Sequence, residues 1–233
     1  KGAYGLHILG CNVTVPYKND VIPYLAQIDE LAAKMGSVNT LVRVNGGYKG
    51  YNTDMTGLYR AMSSDGVSIQ GEQVIVLGAG GVGRAVAFMC AAKGAAHVWL
   101  LNRTVEKAAE VAKEVNLAEG RSCVEALAMS DYDKLPDEKY LVIQSTSVGL
   151  YPHVEDAVIT DPAFYHKVKA GYDLIYRPWE TRFMQLVKEQ GAPAYNGLKM
   201  LLYQGIEAFE LWNQCKIEDE SAYKLYEMLR TTV

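Results

Sequence analysis

The sequence predicts an α/β fold, a doubly wound parallel sheet plus a smaller α/β domain, on three observations. Gln73-Val74-Ile75-Val76-Leu77 is a continuous apolar run, the pattern of a strand buried on both faces of a parallel sheet. It opens directly into Gly78-Ala79-Gly80-Gly81-Val82-Gly83, and a helical pattern follows at once. Beyond that point strand and helix patterns alternate at the spacing of parallel crossovers.

Taken in order, Ile8–Thr14 reads as a strand and Asp29–Met35 as a helix. Pro16 suits the first turn of a helix, because it has no N–H to leave unsatisfied, so Lys18 is placed at a strand-to-helix corner. Thr40–Val44 and Tyr48–Asn52 read as strands joined through Asn45-Gly46-Gly47, a hairpin-type turn. Thr56–Ser64 reads as a helix ending near Asp65-Gly66. After the Gln73–Leu77 strand comes a helix from Val82 to about Lys93, closed by Gly94. His97–Leu101 is the next strand, followed by Asn102-Arg103-Thr104 and a helix to about Val115. Tyr140–Gln144 and Tyr172–Ile175 are later strands. Thr181–Gln190, Leu198–Cys215 and Asp219–Arg230 read as helices, the second with apolar residues spaced by three or four. The expected domains are 1–54 for substrate, 55–197 for a dinucleotide, and 198–233 as helices returning to the first domain.

The chain has 233 residues, 49% of them hydrophobic, enough to bury a full core. Its net charge is −4 and it has no Lys/Arg-rich run, which argues against nucleic acid as a partner. No apolar run approaches the roughly 18 residues that span a bilayer. The four cysteines, Cys11, Cys90, Cys123 and Cys215, are scattered without a C-x-x-C pair, so reduced thiols in a cytoplasm are expected. His7, His97, His153 and His166 show no metal-ligand spacing, and no metal is expected.

Two stretches carry chemistry. In Asn12-Val13-Thr14-Val15-Pro16-Tyr17-Lys18, Asn12 and Thr14 share one face of a strand, and Lys18 lies beside that face. An amide, a hydroxyl and an ammonium converging on one spot suit a small polyhydroxylated molecule; a polar edge strand with a solvated lysine is the plainer alternative. The second stretch is the glycine turn, a G-x-G-x-x-G in the strand–helix context of the Rossmann fingerprint. Gly78, Ala79, Gly80, Gly81, Val82 and Gly83 are therefore expected to cradle a pyrophosphate at a helix N-terminus. The end of the next strand has no acid for a ribose 2′-hydroxyl. It has Asn102, Arg103 and Thr104, with Lys107 one turn on, a set suited to a 2′-phosphate and hence to NADP. The alternative is that Thr104 only caps the helix and Arg103 is solvated.

These residues, taken together, resemble the shikimate dehydrogenase family. Asn12–Lys18 is similar to its substrate and catalytic-lysine segment, and Gly36-Ser37-Val38-Asn39-Thr40 to its second substrate segment, with Asn39 as the ligand. Gly50-Tyr51-Asn52-Thr53-Asp54 resembles the segment with its catalytic aspartate. Ser145-Thr146-Ser147-Val148-Gly149-Leu150 resembles its nicotinamide-side loop, adding Thr146, Ser147 and Val148 as cofactor residues. Asp173-Leu174-Ile175-Tyr176-Arg177-Pro178 and Asn196-Gly197-Leu198-Lys199-Met200-Leu201-Leu202-Tyr203-Gln204-Gly205 complete the series, with Gly197 assigned to cofactor. The resemblance implies reversible reduction of 3-dehydroshikimate to shikimate by NADPH, a step of aromatic amino-acid biosynthesis, by a monomer or homodimer. Lys18 would polarise the carbonyl and deliver the proton, and Asp54 would hold its ammonium. Asn12, Thr14, Asn39 and Gln204 would bind hydroxyls, and Tyr176 would pack near the nicotinamide or touch the substrate.

One departure stands out. The family's Ser-x-Ser segment, which binds the substrate carboxylate, has no match before Lys18. The expectation is an upstream segment that completes the sheet and carries that site, leaving the first strand here with an unpaired edge or an exposed apolar face. Without such a segment, shikimate would bind poorly while NADP would still bind. A quinate or dual quinate/shikimate enzyme is the near alternative, since the two substrates differ beside the carboxylate. A non-catalytic sensor of the same ligand is a further one, opposed by the presence of both Lys18 and Asp54.

Overall fold

A computed structural model describes residues 2–232. In chain order the first elements are α1 (Gly2–Gly5), β1 (Gly10–Asn12), β2 (Gln27–Ile28), α2 (Glu30–Met35), β3 (Thr40–Val44), β4 (Gly47–Tyr51) and α3 (Thr53–Ser64). Then come β5 (Gln73–Leu77), α4 (Gly81–Ala92), β6 (His97–Asn102), α5 (Val105–Glu119), β7 (Val124–Ala128) and β8 (Tyr140–Gln144). The last are α6 (Pro162–Tyr165), β9 (Val168–Asp173), α7 (Arg182–Glu189), β10 (Ala194–Tyr195), α8 (Leu198–Asn213) and α9 (Asp219–Arg230). Among the described residues no helix is long and apolar enough to cross a membrane.

The chain forms two compact units. One runs up to Ala61 and includes Lys199–Thr232; the other is Met62–Leu198. The divisions thus fall inside α3 and at the start of α8, some residues past the expected position 54.

The first unit carries a four-stranded sheet in the order β1-β3-β4-β2. Strands β3 and β4 form a hairpin whose last pair is Val44↔Gly47, so Asn45-Gly46 is a two-residue turn. Gly46 takes φ +85°, a left-handed conformation that favours glycine. Ala32, Val38 and Leu41 form a small core, covered by Ile22, Leu25 and Ile28 among others. Helix α8 packs on β1 and β3: Trp212 Nε1 donates to the Leu41 carbonyl at 2.9 Å, and a Cβ on Gly10 would lie 2.1 Å from that nitrogen. Helices α3 and α8 also touch backbone to backbone, since a Cβ on Gly57 would sit 2.5 Å from the Gln204 nitrogen. Beside that crossing, Arg60 Nη1 donates to the buried Glu210 Oε1 at 3.0 Å.

The helix expected after Pro16 does not form. Residues 15–21 make successive turns, with the Tyr17 N–H on the Thr14 carbonyl and the Ile22 N–H on the Asn19 carbonyl, before a 3₁₀ turn at Ile22–Tyr24. Bonds to a neighbouring segment explain this. The Val38 N–H donates to the Lys18 carbonyl at 2.9 Å, and Asn19 Nδ2 donates to the Gly36 carbonyl at 2.6 Å. Strand β1 is also shorter than expected and lies at the edge of its sheet, with Leu6 76% and Leu9 65% exposed beside it.

The second unit is a six-stranded sheet in the order β10-β9-β8-β5-β6-β7, with every pair parallel. Strand order reverses between β5 and β8, which makes the crevice at their carboxyl ends the topological switch point. Ile75, Leu77, Tyr140, Val142, Phe164, Tyr165 and Phe183 lie at its core. Helix α5 runs past the expected Val115 to Glu119, where Gly120 at φ +65° closes it. Strand β9 covers Val168–Asp173 instead of 172–175. Lys169 and Gly171 break its apolar run, yet Gly171 is required because a Cβ there would lie 2.8 Å from Val187 of α7.

Candidate active site

In the first unit the strand ends and the start of α3 gather the polar residues. Asn39, buried at the edge of β3, accepts on Oδ1 from the Thr53 N–H at 2.8 Å, which satisfies a free donor at the start of α3. The same oxygen accepts from Thr40 Oγ1 at 3.0 Å. Asn12 Nδ2 reaches Thr40 Oγ1 at 3.1 Å and the Asn39 carbonyl at 3.2 Å. Asn52 Oδ1 accepts from the Met55 N–H at 3.2 Å, and its Nδ2 donates to the Ser37 carbonyl at 3.0 Å. These bonds fix the first turn of α3 on β3, and Asp54 stands in that turn. Lys18 Nζ is 2.6 Å from Asp54 Oδ2, with the two side chains 26% and 21% exposed. The pair is therefore open to a ligand and partly screened by solvent.

Thr14 follows Asn12 by two residues and, like it, is exposed. Gln204 lies on α8 where its backbone meets Gly57, one turn beyond Asp54. Its Nε2 donates to the Leu201 carbonyl at 2.9 Å. It also borders an apolar groove of about 500 Å³ with Leu202, Ile206, Phe209, Leu225 and Leu229. That groove does not include Lys18 or Asp54. Thr40, Asn52 and Thr53 were not singled out from sequence. An asparagine immediately before a helix is a capping signal that points to Asn52.

In the second unit the glycine turn has the predicted form. Gly78 takes φ +102°, and a Cβ on Gly83 would lie 1.9 Å from the Gly78 carbonyl oxygen, so both positions need glycine. At Gly80 and Gly81 a Cβ would meet nothing within 4 Å. The space in front of the α4 N-terminus is open, with Ala79 beside it and Val82 exposed in the first turn. This is the shape and polarity that suit a pyrophosphate.

Arg103, Thr104 and Lys107 are exposed at the carboxyl end of β6. Thr104 occupies the N-cap position of α5 without a side-chain cap bond, so its hydroxyl is not committed to the helix. Asn102 lies between the glycine turn and the start of α5. Its Oδ1 accepts from the Ala79 N–H at 3.1 Å and its Nδ2 donates to the Thr104 carbonyl at 2.8 Å, so the amide ties the two loops together. Gly197 likewise has a packing role: its N–H is bonded to the Ile175 carbonyl at 3.0 Å, and a Cβ would lie 2.2 Å from the Leu174 carbonyl oxygen. Thr146, Ser147 and Val148 form the turn after β8, with the Val148 N–H on Thr146 Oγ1 at 3.1 Å. Thr146 packs on the glycine turn, its Cγ2 being 2.7 Å from where a Gly78 Cβ would stand. Tyr176 is exposed on the loop after β9.

Comparison with known proteins places these features in context. A family model described as shikimate dehydrogenase substrate binding domain matches residues 1–41. One described as shikimate / quinate 5-dehydrogenase matches residues 61–159, and the shikimate 5′-dehydrogenase C-terminal domain matches residues 197–223. A shikimate dehydrogenase (NADP(+)) of Bacillus cereus is 41% identical over 219 residues, covering 91% of this chain and 76% of the relative. The crystal structure of shikimate 5-dehydrogenase from Listeria monocytogenes in complex with shikimate and NAD superposes with a TM-score of 0.88 at 27% identity, covering 96% of this chain and 79% of that one. A shikimate dehydrogenase in complex with NADP+ superposes with a TM-score of 0.82 at 32% identity, covering 97% and 78%.

Proposed function

The chain belongs to the shikimate dehydrogenase family, and from that premise we propose that it catalyses the reversible, NADP-dependent interconversion of shikimate and 3-dehydroshikimate. The observation that carries the reading is the Lys18–Asp54 pair at 2.6 Å, with Asp54 in the helical turn that Asn39 holds through the Thr53 N–H and Asn12 bonded to the Asn39 carbonyl. Ketone reduction needs a proton at the forming alkoxide, and an ammonium held by a carboxylate is a positioned donor. Asp54 orients Nζ and balances its charge. The reading uses Asn12 Oδ1 and Asn39 Nδ2, the amide atoms outside the bonds described above, together with Thr14 and Gln204, for substrate hydroxyls. Tyr176 is assigned to the nicotinamide or the substrate.

The second unit fits NADP. Open space before the α4 N-terminus suits the pyrophosphate, and exposed Arg103, Lys107 and the uncommitted Thr104 hydroxyl suit the 2′-phosphate. Asn102 serves by holding Ala79 and Thr104 in place. When bound, the cofactor supplies the hydride. Quinate is the less favoured substrate, because the curated relatives carry the shikimate name. Free thiols at Cys11, Cys90, Cys123 and Cys215 support a cytoplasmic protein, which we read as a monomer or homodimer. Initial rates with shikimate and quinate, each with NADP+ and NAD+, test the reading. Shikimate with NADP+ is expected to give the highest kcat/KM, and a preference for quinate would overturn it.

A further inference from the structure

The proposed mechanism leaves the buried carboxylate of Asp173 without a task. Asp173 is the last residue of β9, and its register partner is Gln144, the last residue of β8; both are fully buried. Asp173 Oδ2 accepts from Thr181 Oγ1 at 2.6 Å. Its Oδ1 accepts from the Ile175 N–H at 3.0 Å and from Gln144 Nε2 at 3.4 Å. Gln144 Nε2 also donates to the carbonyls of Val148 at 3.1 Å and Thr146 at 3.3 Å, and its Oε1 accepts from the Thr146 N–H at 2.5 Å. Thr181 in turn caps α7, its Oγ1 accepting from the Met184 N–H at 3.3 Å.

One carboxylate thus ties together the turn after β8, the loop after β9 and the start of α7. The first of these also braces the glycine turn, since Ser145 Oγ donates to the Leu77 carbonyl at 2.7 Å. A buried carboxylate is costly to the fold. Burial pushes the Asp173 carboxyl up to about 6 in spite of its donors. Its three partners are all placed to donate, and the two carboxylate oxygens accept from all of them. Groups whose ionisation is held at such a cost gather at working sites, and these loops line the crevice beside the switch between β5 and β8. There, one nucleotide half falls to the β5 turn and the other to the side of β8.

We infer that Asp173 is a positioning residue, which locks the turn after β8 against the loop after β9 and so shapes the wall that seats the nicotinamide half of the cofactor. This rests on the NADP reading above. The test follows shikimate oxidation with NADP+ and, separately, binding of adenosine 2′,5′-bisphosphate, which has the 2′-phosphate end of the cofactor and no nicotinamide. Asp173→Ala is expected to lower kcat by roughly tenfold to a hundredfold, the worth of about an ångström of misplacement, with bisphosphate affinity changed by less than about twofold. Asp173→Asn keeps the shape and one acceptor atom, and is expected to recover most of kcat. Gln144→Ala and Thr181→Val each remove one arm of the tie and carry the test if Asp173→Ala does not fold; both should lower kcat alone. Unchanged kcat in these variants overturns the proposal. So does a loss of bisphosphate affinity equal to the loss of kcat, or an asparagine variant as slow as the alanine one. Wild-type turnover of shikimate checks the functional reading separately. If that fails, positioning is still read from the variants' affinity for NADP+ relative to the bisphosphate.

Discussion

Replacing Lys18 by alanine separates catalysis from folding. Lys18 is held at two points: its carbonyl accepts from the Val38 N–H at 2.9 Å, and its ammonium meets Asp54 Oδ2 at 2.6 Å. The backbone bond survives the substitution, so the turn that carries residue 18 stays on the sheet. The ion pair is lost, but its side chains are 26% and 21% exposed, and solvent reduces the pair's contribution to stability to about 1 kcal/mol or less. For a chain of this size that lowers Tm by about 2–4 °C at most. A positioned acid is worth about 10²–10⁴ in rate, or roughly 2.7–5.5 kcal/mol of barrier. The expected result is a kcat reduced at least about a hundredfold, a smaller change in KM, and a nearly unchanged melting curve. Initial rates of shikimate oxidation and a thermal melt on the same preparation measure all three. A kcat within about threefold of wild type would refute Lys18 as the proton-transfer group.

Arg103→Ala is expected to weaken NADP+ binding roughly ten- to a hundredfold and leave NAD+ binding unchanged in calorimetry; equal losses would make the arginine structural. Gly83→Ala puts a Cβ 1.9 Å from the Gly78 carbonyl oxygen, so it should abolish cofactor binding and lower Tm, and an unperturbed variant would show the turn to be slack. Gly57→Ala drives a Cβ to 2.5 Å from the Gln204 nitrogen; a cost of about 1–3 kcal/mol in denaturant unfolding and a raised KM for shikimate are expected, against no change if α8 yields freely. Asp173 titrates at about 6 when folded against an ordinary 3.8, so between those values the folded state holds the proton more tightly and the group's contribution to stability falls as pH rises. Across that window Asp173→Asn should gain on wild type by ~3 kcal/mol in unfolding free energy, and a pH-independent difference would contradict the raised value.

The nucleotide half of this protein was legible because its signals are local. An apolar strand runs straight into a glycine turn that needs left-handed or crowded backbone, and an arginine stands at the next strand end, so each signal is read from a few neighbouring residues. Strands β7 and β10 were missed for the opposite reason. Val124-Glu125-Ala126-Leu127-Ala128 and Ala194-Tyr195 have weak or short patterns, and pairing with β6 and β9 supplies what they lack. The Pro16 helix failed because bonds with the distant Gly36–Val38 segment, Asn19 donating to the Gly36 carbonyl and the Val38 N–H donating to the Lys18 carbonyl, hold residues 18 and 19 in turns instead.

By itself, then, the amino-acid sequence determined the fold class and the glycine turn after β5, and through a family resemblance it pointed to Asn12, Lys18, Asn39 and Asp54 as candidates. Only the tertiary structure decided what holds them. It placed Lys18 on Asp54, turned the Asn39 oxygen to the start of α3, made Asn102 a brace between two loops, and closed Gln144, Asp173 and Thr181 into one buried tie. The reason is range. Backbone conformation and apolar period are written in neighbouring residues, whereas the partner of a buried polar group lies wherever the sheet brings one within 3 Å, and no short stretch of sequence records that.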